Sequence, residues 1–350
     1  MIFYKKLITW YLQNKRSMPW RETIDPYHIW LSEIILQQTR VVQGLPYYLS
    51  FTDQYPTVFD LANAEEEQVL KLWQGLGYYS RARNLHATAK YVANELNGIF
   101  PSNYKDLLKL KGVGDYTASA IASICYNEVV PVVDGNVYRV LSRYFNIDTP
   151  INSTQGIKEF KKIAFELIDP EQPATYNQAI MEFGALQCKP QNPYCIVCPL
   201  NDSCESLNKG TVTSLPVKLK KTKIKKRYFN YLIFSVSDQY TIIKQRTGKG
   251  IWQNLYEFPL IESENDVNLD YIKEHALFKS LLGDISYDIT CYEEAFKIHK
   301  LSHQHLYTRF YIVKTNNKPK FDAQLEQIKI DNIREYPVPI LLGNFIDSFF

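Results

Sequence analysis

Apolar residues recur at helical spacing through the first part of the chain, as far as about Pro216. Glycine and proline separate the segments that show this spacing, and both residues interrupt helices. The pattern therefore predicts a series of short helices over residues Tyr27–Val42, Glu65–Gln74, Arg81–Leu96, Tyr104–Lys109, Asp115–Tyr126, Asn136–Phe145 and Ile157–Ile168.

Beyond this part the pattern changes from helical spacing to runs of β-branched and aromatic residues with stretches of alternation. Such runs, bounded by turn residues, predict strands over Tyr228–Val236, Gln239–Gln245 and Leu306–Lys314. We therefore predict two domains: a mainly α domain over residues 1–216 and an α+β domain over residues 229–350. Residues 217–228 form the linker between them.

Composition places the chain among ordinary globular proteins. It has 350 residues, of which 45% are hydrophobic and 22% charged, values that argue against disordered and fibrous classes. No apolar run is long enough to span a membrane. The N-terminal segment carries Lys5 and Lys6 within its apolar stretch and has no small-residue cleavage site, so it does not read as a signal peptide. We expect a soluble, intracellular (cytoplasmic) monomer without a membrane partner.

The linker concentrates the positive charge of the chain. The formal net charge is +3, but the segment Lys218–Arg227 carries only cations among its charged residues, and the chain without it would be net acidic. Two interpretations remain open from the sequence, a solvated linker or a patch that binds a polyanion.

Four of the six cysteines lie in one short segment, residues 188–204. Because nothing in the sequence is secretory, reduced thiolates that bind a metal are favoured over disulfides. Four thiolates suit either zinc or an iron–sulfur cluster. The candidate ligands are Cys188, Cys195, Cys198 and Cys204.

A second candidate site is the run from Leu107 to Ala118, in which Gly112 and Gly114 flank Val113 between two short predicted helices. Glycines permit a tight turn, and the backbone amides at the start of the following helix can bind a phosphate. A pair of glycines alone is more often just a turn, but the surrounding leucines and threonine make this run similar to a helix-hairpin-helix motif.

Two carboxylate residues, Glu33 and Asp134, are candidates for acid–base chemistry. Glu33 is the only ionisable residue between His28 and Arg40, so burial of its helix would raise the carboxyl pKa and let it act as an acid, whereas an exposed helix would leave it an ordinary solvated side chain. Asp134 precedes a predicted helix, where an aspartate usually caps the helix N-terminus. A proton donor and a carboxylate are together the usual equipment for cleaving a glycosidic bond.

These segments resemble, in order and spacing, the MutY family of adenine DNA glycosylases, within the endonuclease III superfamily. The motifs that carry the resemblance are Pro19-Trp20-Arg21, Ser32–Thr39, Trp73–Tyr79, the hairpin, Asp134–Val137, Glu182–Ala185 and the cysteine loop. The resemblance implies a helix-hairpin-helix glycosylase domain with a [4Fe-4S] loop, followed by a MutT (Nudix)-like domain.

The resemblance also implies a function, the removal of adenine mispaired with 8-oxoguanine or guanine in double-stranded DNA during base excision repair. In it Glu33 protonates the adenine and Asp134 stabilises the cationic sugar. Supporting roles carried over from the family fall to Tyr116 and Asn136 beside the chemistry, Arg21 and Gln178 in the adenine pocket, and Gln38, Leu76 and Tyr78 as residues that enter the base stack.

Position 116 distinguishes subfamilies. The lyases of the superfamily carry a lysine there, which attacks the sugar as an amine, and Tyr116 has no amine with which to do so. We therefore expect a monofunctional glycosylase. The alternatives are a bifunctional glycosylase/lyase and a noncatalytic DNA-binding homologue, although the presence of both Glu33 and Asp134 argues against the second.

The C-terminal domain resembles the part of the family that recognises 8-oxoguanine. The corresponding residues are Leu301, Ser302 and His303. Leu301 stands where the family often has phenylalanine, and an aliphatic side chain stacks less well on a base. The glutamate-rich box of active MutT hydrolases is missing after Pro259, so nucleotide hydrolysis is not expected.

Overall fold

The structure, a computed structural model, describes residues 3–219, 224–320 and 324–350. The central part of the basic run, residues 220–223, lies outside these ranges. The chain divides into two compact units, Met1–Asn63 with Asn84–Lys220, and Ala64–Arg83 with Lys221–Phe350. The second unit therefore includes a segment that the sequence analysis assigned to the helical domain. The boundaries at residues 216 and 229 stay predictions.

The first unit is helical. Its first four helices are α1 (Phe3–Asn14), α2 (Pro26–Leu36), α3 (Val41–Gln54) and α4 (Val58–Asn63). The next helix, α5 (Glu66–Leu72), belongs to the second unit, and α6 (Ser80–Glu95) begins in the second unit and continues into the first. The remaining helices are α7 (Tyr104–Leu107), α8 (Asp115–Tyr126), α9 (Gly135–Tyr144), α10 (Thr154–Leu167), α11 (Pro173–Leu186) and α12 (Glu205–Asn208).

One predicted helix, Tyr27–Val42, is wrong in length. Helix α2 ends at Leu36, and α3 begins only at Val41. Between them Gln38 has a φ of 55°, a left-handed conformation that a helix does not accommodate. The apolar pattern runs across this break, which is why spacing alone did not reveal it.

The core of the helical unit is formed where five helices meet. Buried residues of α1, α8, α9, α10 and α11 pack together, including Leu7, Leu141, Phe160 and Phe183. Helix α11, which the sequence analysis did not predict, lies at the centre of this packing and contacts α1, α8 and α9. It thereby brings its own side chains next to those of the segments that hold Tyr116 and Asp134.

The second unit is an α+β domain built on a mixed sheet, which confirms the predicted fold class. Its long strands β1 (Lys225–Val236) and β7 (Gln304–Thr315) run parallel in register, and residues 229–236 of β1 are all buried. Shorter strands pair with these two or with β2: β2 (Tyr240–Gln245), β3 (Tyr256–Glu257), β4 (Leu260–Ser263), β5 (Asp288–Cys291), β6 (Lys297–Lys300) and β8 (Leu325–Lys329).

Helices α13 (Leu269–Glu274) and α14 (Ala276–Leu282) pack onto the sheet through Ile272, Phe278 and Leu281, which join strand residues in one apolar cluster. Helix α15 (Ile340–Phe349) closes the chain, and its Phe345 stacks on Phe310 of β7 with ring centroids 4.0 Å apart. In the part of the chain that the structure describes, no helix combines the length and the apolar character needed to cross a membrane.

Candidate active site

Glu33 is buried. It lies on α2, which begins at Pro26 because Asp25 caps the helix by accepting hydrogen bonds from the backbone N–H groups of Tyr27 and His28. Only 7% of Glu33 is exposed, and burial raises the pKa of its carboxyl group to about 7. The sequence alone does not determine whether this helix is exposed; the structure places Glu33 in the interior, partly protonated at neutral pH.

Asp134 caps the N-terminus of α9. Its Oδ1 accepts hydrogen bonds from the backbone N–H groups of Asn136 (2.9 Å) and Val137 (2.8 Å), and its Oδ2 accepts one from Asn136 Nδ2 (2.8 Å). Burial raises the pKa of Asp134, and these hydrogen bonds oppose the rise. The carboxylate is near enough to Glu33 to raise the pKa of that group further. The structure thus brings the two candidate carboxyl groups together.

Tyr116 lies beside Glu33. Its hydroxyl group is 3.2 Å from Met181 Sδ on α11 and also hydrogen-bonds with Glu33, an interaction that lowers the pKa of the glutamate. A carboxylate is a much stronger acceptor than a thioether, so the hydroxyl proton goes to ionised Glu33. Burial raises the pKa of Tyr116 well above its usual value, which keeps the phenol protonated as a donor.

A second buried glutamate, Glu182 on α11, is paired with two arginines. Arg16 binds it through Nε (2.8 Å) and Nη2 (2.6 Å), and Arg21 through Nη1 (3.1 Å) and Nη2 (2.9 Å). Burial alone would raise the pKa of Glu182, but these hydrogen bonds outweigh burial and lower it to about 2. The ion pair fixes Arg21, whose charge also acts to lower the pKa of Glu33.

Asn136 connects Asp134 to the cysteine loop. While its Nδ2 donates to Asp134, its Oδ1 accepts a hydrogen bond from Arg139 Nη2 (2.8 Å). Arg139 Nε in turn donates to the backbone carbonyl oxygen of Cys188 (2.7 Å). A continuous chain of hydrogen bonds therefore runs from the candidate catalytic carboxylate to the first cysteine of the loop.

The four cysteines of residues 188–204 are reduced and half-buried. Burial and, in addition, the neighbouring Cys188 raise the pKa of Cys195, Cys198 and Cys204, so the four thiols are within electrostatic reach of one another. Arg143 donates to Cys188 Sγ (3.5 Å), a positive partner suited to thiolates. Among residues 3–219, 224–320 and 324–350, no group of three or more His, Cys, Asp or Glu side chains is arranged to hold a single metal ion.

The hairpin before α8 has the conformation that its sequence predicts. Gly112 has a φ of 81°, and a Cβ atom there would lie 2.8 Å from Asn84 Cβ, so both the backbone and the space require glycine. Gly114 precedes α8, and a Cβ atom on it would meet nothing within 4 Å. The N-terminus of α8 is thus open at Gly114.

Two further residues carried over from the family also lie in the helical unit. Gln38 is exposed in the turn between α2 and α3. Gln178 is half-buried on α11, one turn before Glu182 and next to Asn177. Asn177 is fully buried and forms hydrogen bonds with the backbone just before Asp134. Its side-chain amide donates to Val130 O (2.9 Å) and accepts from Val132 N (3.1 Å).

Leu76 and Tyr78 lie in the second unit, on the loop that joins α5 and α6. Tyr78 is 46% exposed, and its hydroxyl group is 3.1 Å from Ser302 Oγ. Both residues line a cavity of about 320 Å³ together with Trp252, Leu301 and Ser302; His303 and Arg83 also line it. The unit therefore joins two of the three predicted stack-entering residues, Leu76 and Tyr78, to the predicted 8-oxoguanine residues around one cavity.

The sequence analysis missed several residues that position this site: Arg16, Asn177, Met181 and Arg139. Arg16 and Met181 gave no sequence signal, because their partners are distant in the chain. Glu182 did give one, since it is the only charged residue between Glu171 and Lys189, as Glu33 is between His28 and Arg40.

Comparison with known families matches both units. Residues 31–164 match the family described as HhH-GPD superfamily base excision DNA repair protein, and residues 230–348 match the family described as NUDIX domain. A relative from Buchnera aphidicola subsp. Baizongia pistaciae, an adenine DNA glycosylase, is 36% identical over 313 residues, which cover 88% of this chain and 84% of the relative.

Two solved structures resemble the helical part. A thermostable thymine-DNA glycosylase is 30% identical with a TM-score of 0.55, over 59% of this chain and 95% of that protein. A non-covalent endonuclease III–DNA complex is 22% identical with a TM-score of 0.51, over 60% of this chain and 99% of that protein. The second likeness concerns the fold alone.

Proposed function

The chain belongs to the adenine DNA glycosylase family, and on that premise we propose that it hydrolyses the glycosidic bond of adenine mispaired with 8-oxoguanine or guanine in duplex DNA. The observation that carries the proposal is the pair of neighbouring carboxyl groups, Glu33 with its pKa raised to about 7 and Asp134 held by three hydrogen bonds. One is equipped to deliver a proton at neutral pH and the other to remain as a fixed acceptor.

The adenine nucleotide must leave the base stack to reach these groups, which costs a few kcal/mol and costs least at a mismatch. Protonated Glu33 then donates its proton to N7 of the adenine. The bond between C1′ and N9 breaks, its electron pair leaves with the neutral base, and the sugar becomes an oxocarbenium ion. Burial of Glu33 supports this role because it keeps the proton available near pH 7.

Asp134 stabilises the positive charge on the sugar. Its position at the N-terminus of α9 is set by backbone hydrogen bonds, so the carboxylate needs no reorganisation as charge develops. Asn136 fixes the second oxygen of Asp134. A water molecule adds to C1′ and returns a proton to Glu33, which completes the hydrolysis and restores the acid.

Tyr116, Arg21 and Gln178 surround the base in this proposal. The Tyr116 hydroxyl group holds Glu33, and the pairing of Arg21 with Glu182 points a fixed cation toward the same region. Because Tyr116 is a phenol, the chain has no amine at this position to form a Schiff base. The product is therefore an intact strand with an abasic site.

The base opposite the adenine is read in the second unit. The cavity next to Tyr78 and Ser302 has about 320 Å³, with an apolar wall that includes Trp252 and Leu301. Ser302 and His303 supply polar groups for the oxidised base, while Leu76 and Tyr78 enter the stack. Gln38 has the same role in this proposal. Trp252 supports this assignment because it adds an aromatic side chain to the cavity lining although Leu301 replaces phenylalanine.

Phosphate contacts come from the hairpin. No side chain caps α8 at Gly114, and a Cβ atom there would meet nothing within 4 Å, so the N-terminus of α8 suits a DNA phosphate irrespective of sequence. Double-stranded DNA is the partner that this arrangement favours.

A [4Fe-4S] cluster suits the cysteine loop. Four thiols within electrostatic reach of one another, with Arg143 donating to Cys188, form a donor set of the right chemistry. Cys188, Cys195, Cys198 and Cys204 would hold it, and the cluster would cross-link the loop next to α9. Iron and zinc quantified in the purified protein distinguish the cluster from a zinc site.

The test is single-turnover base release from a duplex with one A:8-oxoguanine pair, compared with A:G and A:T duplexes. Each reaction is analysed with and without hot alkali. We expect breaks only after alkali, fastest opposite 8-oxoguanine. Efficient breakage without alkali would indicate a lyase instead, and tight binding without base release would indicate a noncatalytic homologue.

A further inference from the structure

The loop Gly75–Tyr79 has three residues with positive φ, two of them glycines and the third Tyr78. Gly75 has a φ of 102°, Gly77 of 72° and Tyr78 of 47°. For Tyr78 this left-handed conformation is strained, because its Cβ crowds the backbone there. Such a conformation persists only where surrounding contacts hold it, so the question is which residues do so.

Part of the support comes from within the segment. Trp73 Nε1 donates to Gly77 O (3.0 Å), and Arg81 Nη2 donates to the same oxygen (3.3 Å). The Tyr79 hydroxyl group accepts from the backbone N–H of Gly75 (3.4 Å). These contacts close the loop on itself but do not connect it to the sheet domain.

The connection to the domain runs through residues 336–338. Gln74 Oε1 accepts a hydrogen bond from the backbone N–H of Val338 (3.3 Å), and Tyr79, on the other side of the loop, donates to Val338 O (3.4 Å). One residue of the domain, buried to 96%, therefore bonds to both ends of the loop. Lys71 Nζ reinforces this by donating to both Tyr336 O (3.2 Å) and Gln74 Oε1 (3.4 Å).

Space for Gln74 is provided by α15. A Cβ atom on Gly343 would lie 3.1 Å from Gln74 Nε2, so a larger residue there would push the amide aside. Gln74 is thus constrained by hydrogen bonds on one side and by close packing on the other. Its position is specified by the C-terminal domain rather than by α5 alone.

We propose that Gln74 is a positioning residue for discrimination of the base opposite the adenine, because it fixes the loop that carries Leu76 and Tyr78 to the domain that carries Ser302. This rests on the proposed function. A loop held at both ends by Val338 keeps the Tyr78 hydroxyl group at its place by Ser302 and the cavity. Without that hold, the strained loop relaxes and Tyr78 leaves the cavity.

The experiment compares Gln74→Leu, which removes the acceptor at similar size, with Gln74→Glu, which retains it. Hydrogen exchange of the free protein is followed in residues 75–79 and at Val338. We expect faster exchange there in Q74L and wild-type exchange in Q74E. Glu66→Ala is the control, because it breaks another contact of the same segment, the Asn254–Glu66 hydrogen bond (2.6 Å), at the other end of α5.

The functional readout is the ratio of single-turnover rates on A:8-oxoguanine and A:G duplexes. We expect Q74L to lower this ratio about fivefold, the effect of losing the hydrogen bond from Val338, while the rate on A:G changes little. Gly343→Ala, which leaves Gln74 in place but crowds it, lowers the ratio less. Q74E and E66A retain the wild-type ratio.

Unchanged exchange in Q74L, or an unchanged rate ratio in a wild-type background that discriminates, would overturn the proposal. So would an equal effect of Q74E, since the acceptor would then be irrelevant. If the wild-type protein releases no adenine or does not prefer 8-oxoguanine, the proposed function fails. In that case the exchange comparison alone still decides whether Gln74 holds the loop.

Discussion

Glu33 and Glu182 are two buried glutamates of the same helical unit with opposite acid–base behaviour. Glu33 is 7% exposed and has a pKa raised to about 7, whereas Glu182 is 1% exposed and has a pKa lowered to about 2. The difference lies in their partners. Glu182 receives two arginine side chains in bidentate geometry, whereas Glu33 interacts with a tyrosine hydroxyl group, a second carboxylate and the charge of Arg21. Burial alone raises the pKa of both carboxyl groups, and only at Glu182 do paired arginines reverse the direction of the shift.

The largest expected effect tests Glu33 as the proton donor. Glu33→Gln retains size and polarity but has no transferable acid, so we expect single-turnover base release to fall by about a thousandfold, within the usual contribution of a general acid. Duplex affinity, measured by anisotropy, stays near the wild-type value. The exposed Glu22→Gln is the matched control. A rate in E33Q within tenfold of the wild-type rate would contradict the assignment.

The next effect is on stability and has opposite signs at the two glutamates. The pKa of Glu182 falls from 4.5 to about 2 on folding. Its charge therefore contributes about 3 kcal/mol to the free energy of unfolding above pH 4.5, and this contribution is lost as the pH falls toward 2. The pKa of Glu33 rises from 4.5 to about 7, so its ionisation costs about 3 kcal/mol, in full above pH 7 and absent below 4.5.

We therefore expect E182Q to be less stable and E33Q more stable than the wild-type protein at pH 8. Denaturant unfolding at pH 5 and pH 8 measures both: the gain in E33Q shrinks at pH 5, while the loss in E182Q persists. Two variants that shift in the same direction at pH 8 would show that the pairing does not govern these glutamates.

A smaller effect concerns Tyr116. Its hydrogen bond favours ionised Glu33, so Tyr116→Phe should raise the pKa of Glu33 further. Because base release needs protonated Glu33, the wild-type rate falls as the pH rises through about 7, and in Y116F this decline moves to higher pH. The pH dependence of single-turnover rates measures it, with Tyr138→Phe as the control. A decline at unchanged or lower pH would remove Tyr116 from this role.

The smallest effect concerns the basic run, where Lys225 and Lys226 lie in described residues. If these lysines contact phosphates, K225Q/K226Q makes the slope of the logarithm of the DNA-binding constant against the logarithm of salt concentration shallower by about 0.9 per lost contact. K273Q/K279Q is the control of equal charge. An unchanged slope would show that Lys225 and Lys226 do not contact phosphates, and it would leave the carboxyl pair as the better supported part of the site.

The sequence predicted most of the architecture because local patterns determine it. The hairpin follows from Gly112 and Gly114, and the break between helical and strand-forming segments follows from a change in periodicity. The helix over Tyr27–Val42 was too long because the left-handed turn at Gln38 has no glycine or proline to reveal it.

The acid–base difference between Glu33 and Glu182 could not be predicted in the same way. Both are isolated acids in apolar runs, and what separates them is the arrival of Arg16 and Arg21 from the other end of the domain. Likewise, nothing local to Gln74 indicates its bond to Val338, which is 264 residues away. Contacts across such distances depend on packing, which a pattern along the chain does not encode.

The cap at Asp134 has a consequence for experiments that use inactive protein. One oxygen of this carboxylate accepts hydrogen bonds from two backbone amides at the start of α9. Replacing Asp134 with alanine therefore destabilises the helix by about 1 kcal/mol besides removing the charge. In a mutational scan of cellular activity, a substitution of Asp134 would therefore lower both the amount of folded protein and its catalytic rate, and the scan would not separate the two effects. Glu33 caps no helix, so a substitution at Glu33 is the better way to obtain a folded but inactive protein for capturing lesion-bearing DNA.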